Sequence, residues 1–170
     1  MTTPVIPAGS DLWQYLSPEQ KKLASDGQLL IDDCDLHPNE KLSDYSYLVF
    51  PFAKLYEGFL KRLFLDLGII NIRDYQSDHF RIGKVLSPNL ARRLGARSAY
   101  VLVKKRYGEN LAFDFWQTWK QARNLVFHYF PHNYRALNHD EALNLIRMVS
   151  GTMKQAVGQT GALSEAREAV

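Results

Sequence analysis

Arg123 and His128 stand five residues apart in the aromatic-rich run from Gln121 to Pro131. An arginine offers a planar, permanently charged fork that grips phosphate oxygens in pairs. A histidine takes and gives protons near neutral pH. RNA carries its own nucleophile in the 2′-hydroxyl, so cleaving its backbone demands only proton transfer and stabilisation of charge on phosphorus. The two residues are the minimum equipment for that chemistry.

The element that must position them is a predicted helix from about Glu109 to Tyr129, stopped by Pro131. On a helical projection Arg123 falls among Phe115, Trp116, Trp119, Ala122, Val126 and Phe127, with Gln117, Lys120, Gln121, Asn124 and His128 on the neighbouring polar arc. A guanidinium at an apolar face needs a carboxylate, a carbonyl, a ring or a phosphate. Its ordinary role would be to stack on Trp116 or Trp119, or to pair across a dimer contact. Five residues turn a helix by roughly 140° beyond a full circle, so the two side chains diverge in ideal geometry. They converge only if the last turn before Pro131 is loosened, or if a second subunit completes the site. Arg73 and His79 lie at a similar separation, so spacing alone discriminates little.

Glu57 is the third candidate. It lies mid-helix on a polar stripe with Lys54 and Lys61. An i,i+4 pair with Lys61 is its ordinary reading; facing the 109–129 helix, it would orient Arg123 or a substrate hydroxyl. Candidate RNA contacts are Lys61, Lys120, Asn124, Arg92 and Arg93, the last two in a basic cluster that continues through Arg97, Lys104, Lys105 and Arg106. Such a cluster is more often a solvated face. His132 and His139 are read as loop residues near His128. His37 beside Asp32, Asp33 and Asp35 lacks a second nitrogen ligand, so no metal site is expected. The sequence holds no phosphate-binding glycine loop, paired-cysteine motif or nucleophile elbow.

Around these residues the pattern is helical. Ser10 and Asp11 cap a short helix through Leu16, and Ser17-Pro18-Glu19 begins another. The acidic stretch 29–43 reads as a loop. Leu48, Phe52, Leu55, Phe59, Leu63 and Leu67 mark the strongest helix, over 44–67, with Pro51 in its first turn or kinking it and Gly68 ending it. Residues 69–108 are least legible; 99–103 reads as a strand or a short helix, with the lean to helix. Asn138 caps a last helix to about Val157, and the segment after Gly158 reads as a frayed tail. The expectation is an all-α, up-and-down bundle: an arm with short helices over 1–43, a domain over 44–157 and a tail over 158–170.

The totals agree with a globular domain. The 170 residues are 46% hydrophobic and 23% charged, with a net charge of +3 that permits nucleic acid as a partner. A single cysteine, Cys34, excludes an intrachain disulfide framework and fits a reducing cytoplasm. No apolar stretch approaches the roughly 20 residues of a membrane span, and the first residues lack the order of a secretory leader.

The string Arg123-Asn124…His128, late in a helix, resembles the motif of HEPN (higher eukaryotes and prokaryotes nucleotide-binding) ribonucleases. The segment Tyr47 to Lys61, carrying Glu57, is similar to the catalytic domain of RNase LS-type bacterial toxins, the RnlA/LsoA group. The likeness covers about residues 44–157. It implies an active site of Glu57, Arg123 and His128, an endoribonuclease that uses no metal or cofactor, a homodimer with the two motifs face to face, and a protein antitoxin. The chain departs from that group in lacking long N-terminal domains. The alternatives are a non-catalytic helical module that binds RNA or protein, and a HEPN partner of a nucleotidyltransferase.

Overall fold

The computed structural model describes residues 3–38, 41–129, 131 and 135–163. Among them the ordered elements are all helical: α1 Asp11–Tyr15, α2 Pro18–Leu36, α3 Ser46–Asp66, α4 Ile72–Gln76, α5 Ile82–Leu86, α6 Ala91–Leu94, α7 Ala99–Tyr107, α8 Glu109–Trp119 and α9 His139–Thr160. The described helices include none long and apolar enough to cross a membrane.

Local chemistry sets the helix starts. Ser10 caps α1, and Ser17 caps α2 with Pro18 in the first turn and Gln20 closing a capping box. Asn138 and Glu141 form the same box at α9. Gly68 follows α3 at φ +61°, a conformation costly for any residue with a Cβ.

α3 is the axis of the core. Leu48, Phe52, Leu55, Tyr56, Phe59, Leu60, Leu63 and Phe64 are all fully buried, because α2, α8 and α9 pack around it. Tyr56 donates its hydroxyl hydrogen bond to the Phe115 carbonyl at 3.1 Å, tying α3 to α8. One stripe escapes burial: Tyr47, Phe50 and Lys54 are exposed, and Glu57 and Lys61 are half-buried. These positions recur at three- and four-residue steps, which keeps them on one side of the helix. Pro51 lies in the second turn of α3, where it removes the hydrogen bond that its N–H would give Tyr47.

Several expectations change. Residues 29–36 are not loop: α2 is nineteen residues long and runs through them. Ile31 is buried and Cys34 half-buried, while Asp33 is exposed, Asp35 lies 3.6 Å from His139 and Gln28 holds Asp32 at 3.0 Å. The acidic residues are thus one face of a helix rather than a break. Leu12, Tyr15, Leu16, Ala24 and Ile31 share the core with α3, so α1 and α2 pack on the domain rather than standing apart from it. The final helix continues past Gly158 to Thr160, and Ala162 is buried. The frayed-tail expectation fails there; residues 164–170 lie outside the described set.

Candidate active site

The helix carrying Arg123 does not run to Tyr129 as expected. After Trp119 it widens into a π-helical turn over Lys120–Asn124, marked by the Leu125 N–H bonding to the Lys120 carbonyl at 2.9 Å, five residues back. Turns follow at 125–127, and His128 stands on irregular backbone. The loosening that convergence required is present. Wider turns of this kind are rare and recur at functional sites.

The widened turn lies against α3. Arg123 Nε donates to Glu57 Oε2 at 3.3 Å, joining residues sixty-six positions apart. Among the described residues this carboxylate's ion pair is with Arg123, not Lys61. The guanidinium also lies 5.5 Å from the centre of the Trp119 ring, one of the two stacking partners expected from the sequence. Arg123 and Glu57 side chains keep 38% and 28% of their exposure, so solvent reaches both. Glu57 occupies only the Nε edge. Among the described residues, the two terminal nitrogens of Arg123 make no hydrogen bond.

Both residues line an open cavity of about 330 Å³ with Phe50, Ala53, Lys54 and Phe127. Phe50 and Phe127 meet edge to face, with ring centres 5.6 Å apart and planes at 84°. The charges of the lining are therefore Lys54, Arg123 and Glu57, set between aromatic walls. An anion with an apolar or flat neighbour is the ligand such a surface suits.

The remaining sequence candidates are distributed unevenly. His128 directly follows Phe127 and is exposed; it does not line the cavity itself. Lys120 and Asn124 are exposed at the two ends of the widened turn, and Lys61 is half-buried one helical turn beyond Glu57. Arg92 and Arg93 are exposed on α6, a separate element that packs on α5 and its flanking turns. His139 begins α9, edge to face with Tyr45 and 3.6 Å from Asp35, away from the predicted loop role beside His128. His132 lies outside the described residues.

Sequence reading missed Phe50 and Gly83. Phe50 is seven residues before Glu57 on the same stripe, a spacing that could have revealed it. Gly83 of α5 is less legible: a Cβ built there would overlap the Trp119 indole. The absent side chain lets α5 approach the ring that stacks on Arg123. No family model, curated protein or solved structure matches this chain.

Proposed function

We propose that the chain is a metal-independent endoribonuclease of the HEPN type, built as an up-and-down bundle and active as a homodimer. In this reading it is a toxin held in check by a protein antitoxin. The observation that supports it most is the Glu57–Arg123 pair at the wall of an open, aromatic-sided cavity whose lining residue Phe127 directly precedes His128.

In this reading the residues divide the work. Glu57 fixes the Nε edge of the guanidinium and leaves its terminal N–H groups for two phosphate oxygens, where they stabilise the charge that builds on phosphorus. His128 takes the 2′ proton or protonates the departing 5′ oxygen. In this reading His128, one residue beyond Phe127, acts on a phosphate held beside the cavity, and a second copy of the chain can supply the complementary group. Lys61, Lys120, Asn124, Arg92 and Arg93 track the strand. The products are a 2′,3′-cyclic phosphate and a 5′-hydroxyl.

A second reading has an observation of its own. Arg123 already has a carboxylate and a ring, and His128 stands outside the cavity lining. That arrangement also suits a non-catalytic module that binds RNA or protein, or a HEPN partner of a nucleotidyltransferase. The deciding experiment incubates RNA with wild type, Arg123→Ala and His128→Ala in EDTA and analyses the ends. The nuclease reading expects cyclic phosphate from wild type and reductions of about 10²–10³-fold and 10²–10⁴-fold in the two variants. Equal cutting by all three, or none by wild type, sinks it.

A further inference from the structure

A second concavity, of about 450 Å³, lies on the segment between α3 and α7 and includes Arg81, Lys84 and Arg97 in its lining. All three are exposed. Among the described residues none has a carboxylate within 4.0 Å. Arg81 is oriented by a 2.6 Å hydrogen bond from its terminal nitrogen to the Asp78 carbonyl. Phe80 and Val85 give the cleft an apolar wall, and His79 adds a further nitrogen at its edge. Asp74 is the single carboxylate of the lining, so the balance there is positive.

The cleft is built on α5, whose sides are divided. Ile82 and Leu86 are fully buried, Gly83 lies against Trp119, and Lys84 and Val85 line the cleft. Lys84 therefore stands on a short helix anchored in the core and Arg81 at its cap, while Arg97 comes from the 3-10 turn Gly95–Arg97. Three cations without a carboxylate partner, beside a phenylalanine, combine phosphate attraction with a face for a flat ring. Those are the two components of nucleotide and single-strand recognition. Asp74 and Asn71 supply hydrogen-bonding groups suited to ribose or a base edge.

We propose that this cleft binds a phosphorylated nucleotide unit, with its phosphate on Arg81, Lys84 and Arg97 and its base against Phe80. The assignment goes beyond the nuclease reading, since binding here requires neither Arg123 nor His128. The unit can be a free nucleotide or one residue of an RNA strand, and two probes separate these sources.

The test measures binding of a fluorescein-labelled hexamer with 2′-O-methyl riboses, which cannot be cut through its own 2′-hydroxyl, and competition by AMP. Wild type is compared with Arg81→Gln/Lys84→Gln/Arg97→Gln, with Phe80→Ala, and with a control in which Lys22, Lys41 and Lys154 become Gln. The cleft variant is expected to bind the hexamer at least ten-fold more weakly. The log–log slope of its affinity against salt should become shallower by about 0.7 for each phosphate that is no longer neutralised. The control stays within about two-fold of wild type, and Phe80→Ala weakens the hexamer, and AMP too where AMP binds. Displacement by AMP identifies a free nucleotide as a ligand; hexamer binding that AMP leaves untouched identifies the strand. Melting curves check that every variant is folded. Equal binding by wild type and the cleft variant, or an equal weakening in the control, overturns the proposal.

Discussion

The Glu57–Arg123 pair invites a distinction between fastening and function. Both side chains keep about a third of their exposure, and partly solvated pairs contribute little to stability, typically under about 1 kcal/mol. Glu57→Gln should therefore leave the melting temperature within a few degrees of wild type while lowering RNA cleavage about ten-fold or more. A destabilisation of several kcal/mol with unchanged cleavage would make the pair a structural tie. At this scale the sequence was informative about Arg123. Its place among tryptophans required a partner, and the structure supplies both a ring and a carboxylate. It was less informative about Glu57, since an i,i+4 lysine masked a partner sixty-six residues away.

At the scale of elements, the widened turn after α8 and the close approach of α5 decide where Arg123 points. Neither was legible, for different reasons. Periodicity assumes a constant rotation per residue, and a π-helical turn breaks that assumption without any proline or glycine to announce it. The α5–α8 contact depends on a missing methyl at Gly83, and only the packed structure shows what that space admits. Gly83→Ala should push the Trp119 indole aside and destabilise the fold by about 1–3 kcal/mol, measured by denaturant titration. A neutral result would show that α5 can shift without cost. The acidic face of α2 was misread because charge density resembles a loop when burial alternates with it at helical spacing. The long apolar run of α3 was read correctly, because a helix surrounded by others needs apolar residues on most sides.

Over the whole molecule, the residue that precedes the α9 cap, Leu137, meets the start of α3, and Asp44 makes that closure. One carboxylate oxygen accepts from the Ser46 N–H at 2.9 Å, the Ser46 hydroxyl at 2.6 Å and the Leu137 N–H at 3.1 Å. The Tyr45 N–H meanwhile bonds to the Leu137 carbonyl at 2.9 Å. Burial alone would raise the Asp44 pKa, but these hydrogen bonds outweigh it and hold the group below the ordinary carboxylate value. Its contribution is therefore complete above the unfolded value near 3.9 and disappears as pH falls through the lower folded value. Asp44→Ala should cost about 1–3 kcal/mol at pH 7, and the gap from wild type should narrow from about pH 4 downward in acid-melting curves. A gap independent of pH would mean that the carboxylate's charge plays no part in the closure.

Trp119 touches both halves of this arrangement, with Gly83 of α5 against its indole and the Arg123 guanidinium over its ring. The protein thus carries an intrinsic optical reporter. An anion that draws the guanidinium off the ring, or a ligand that shifts α5, changes the indole's surroundings and hence its emission, which is read against that of Trp13 and Trp116.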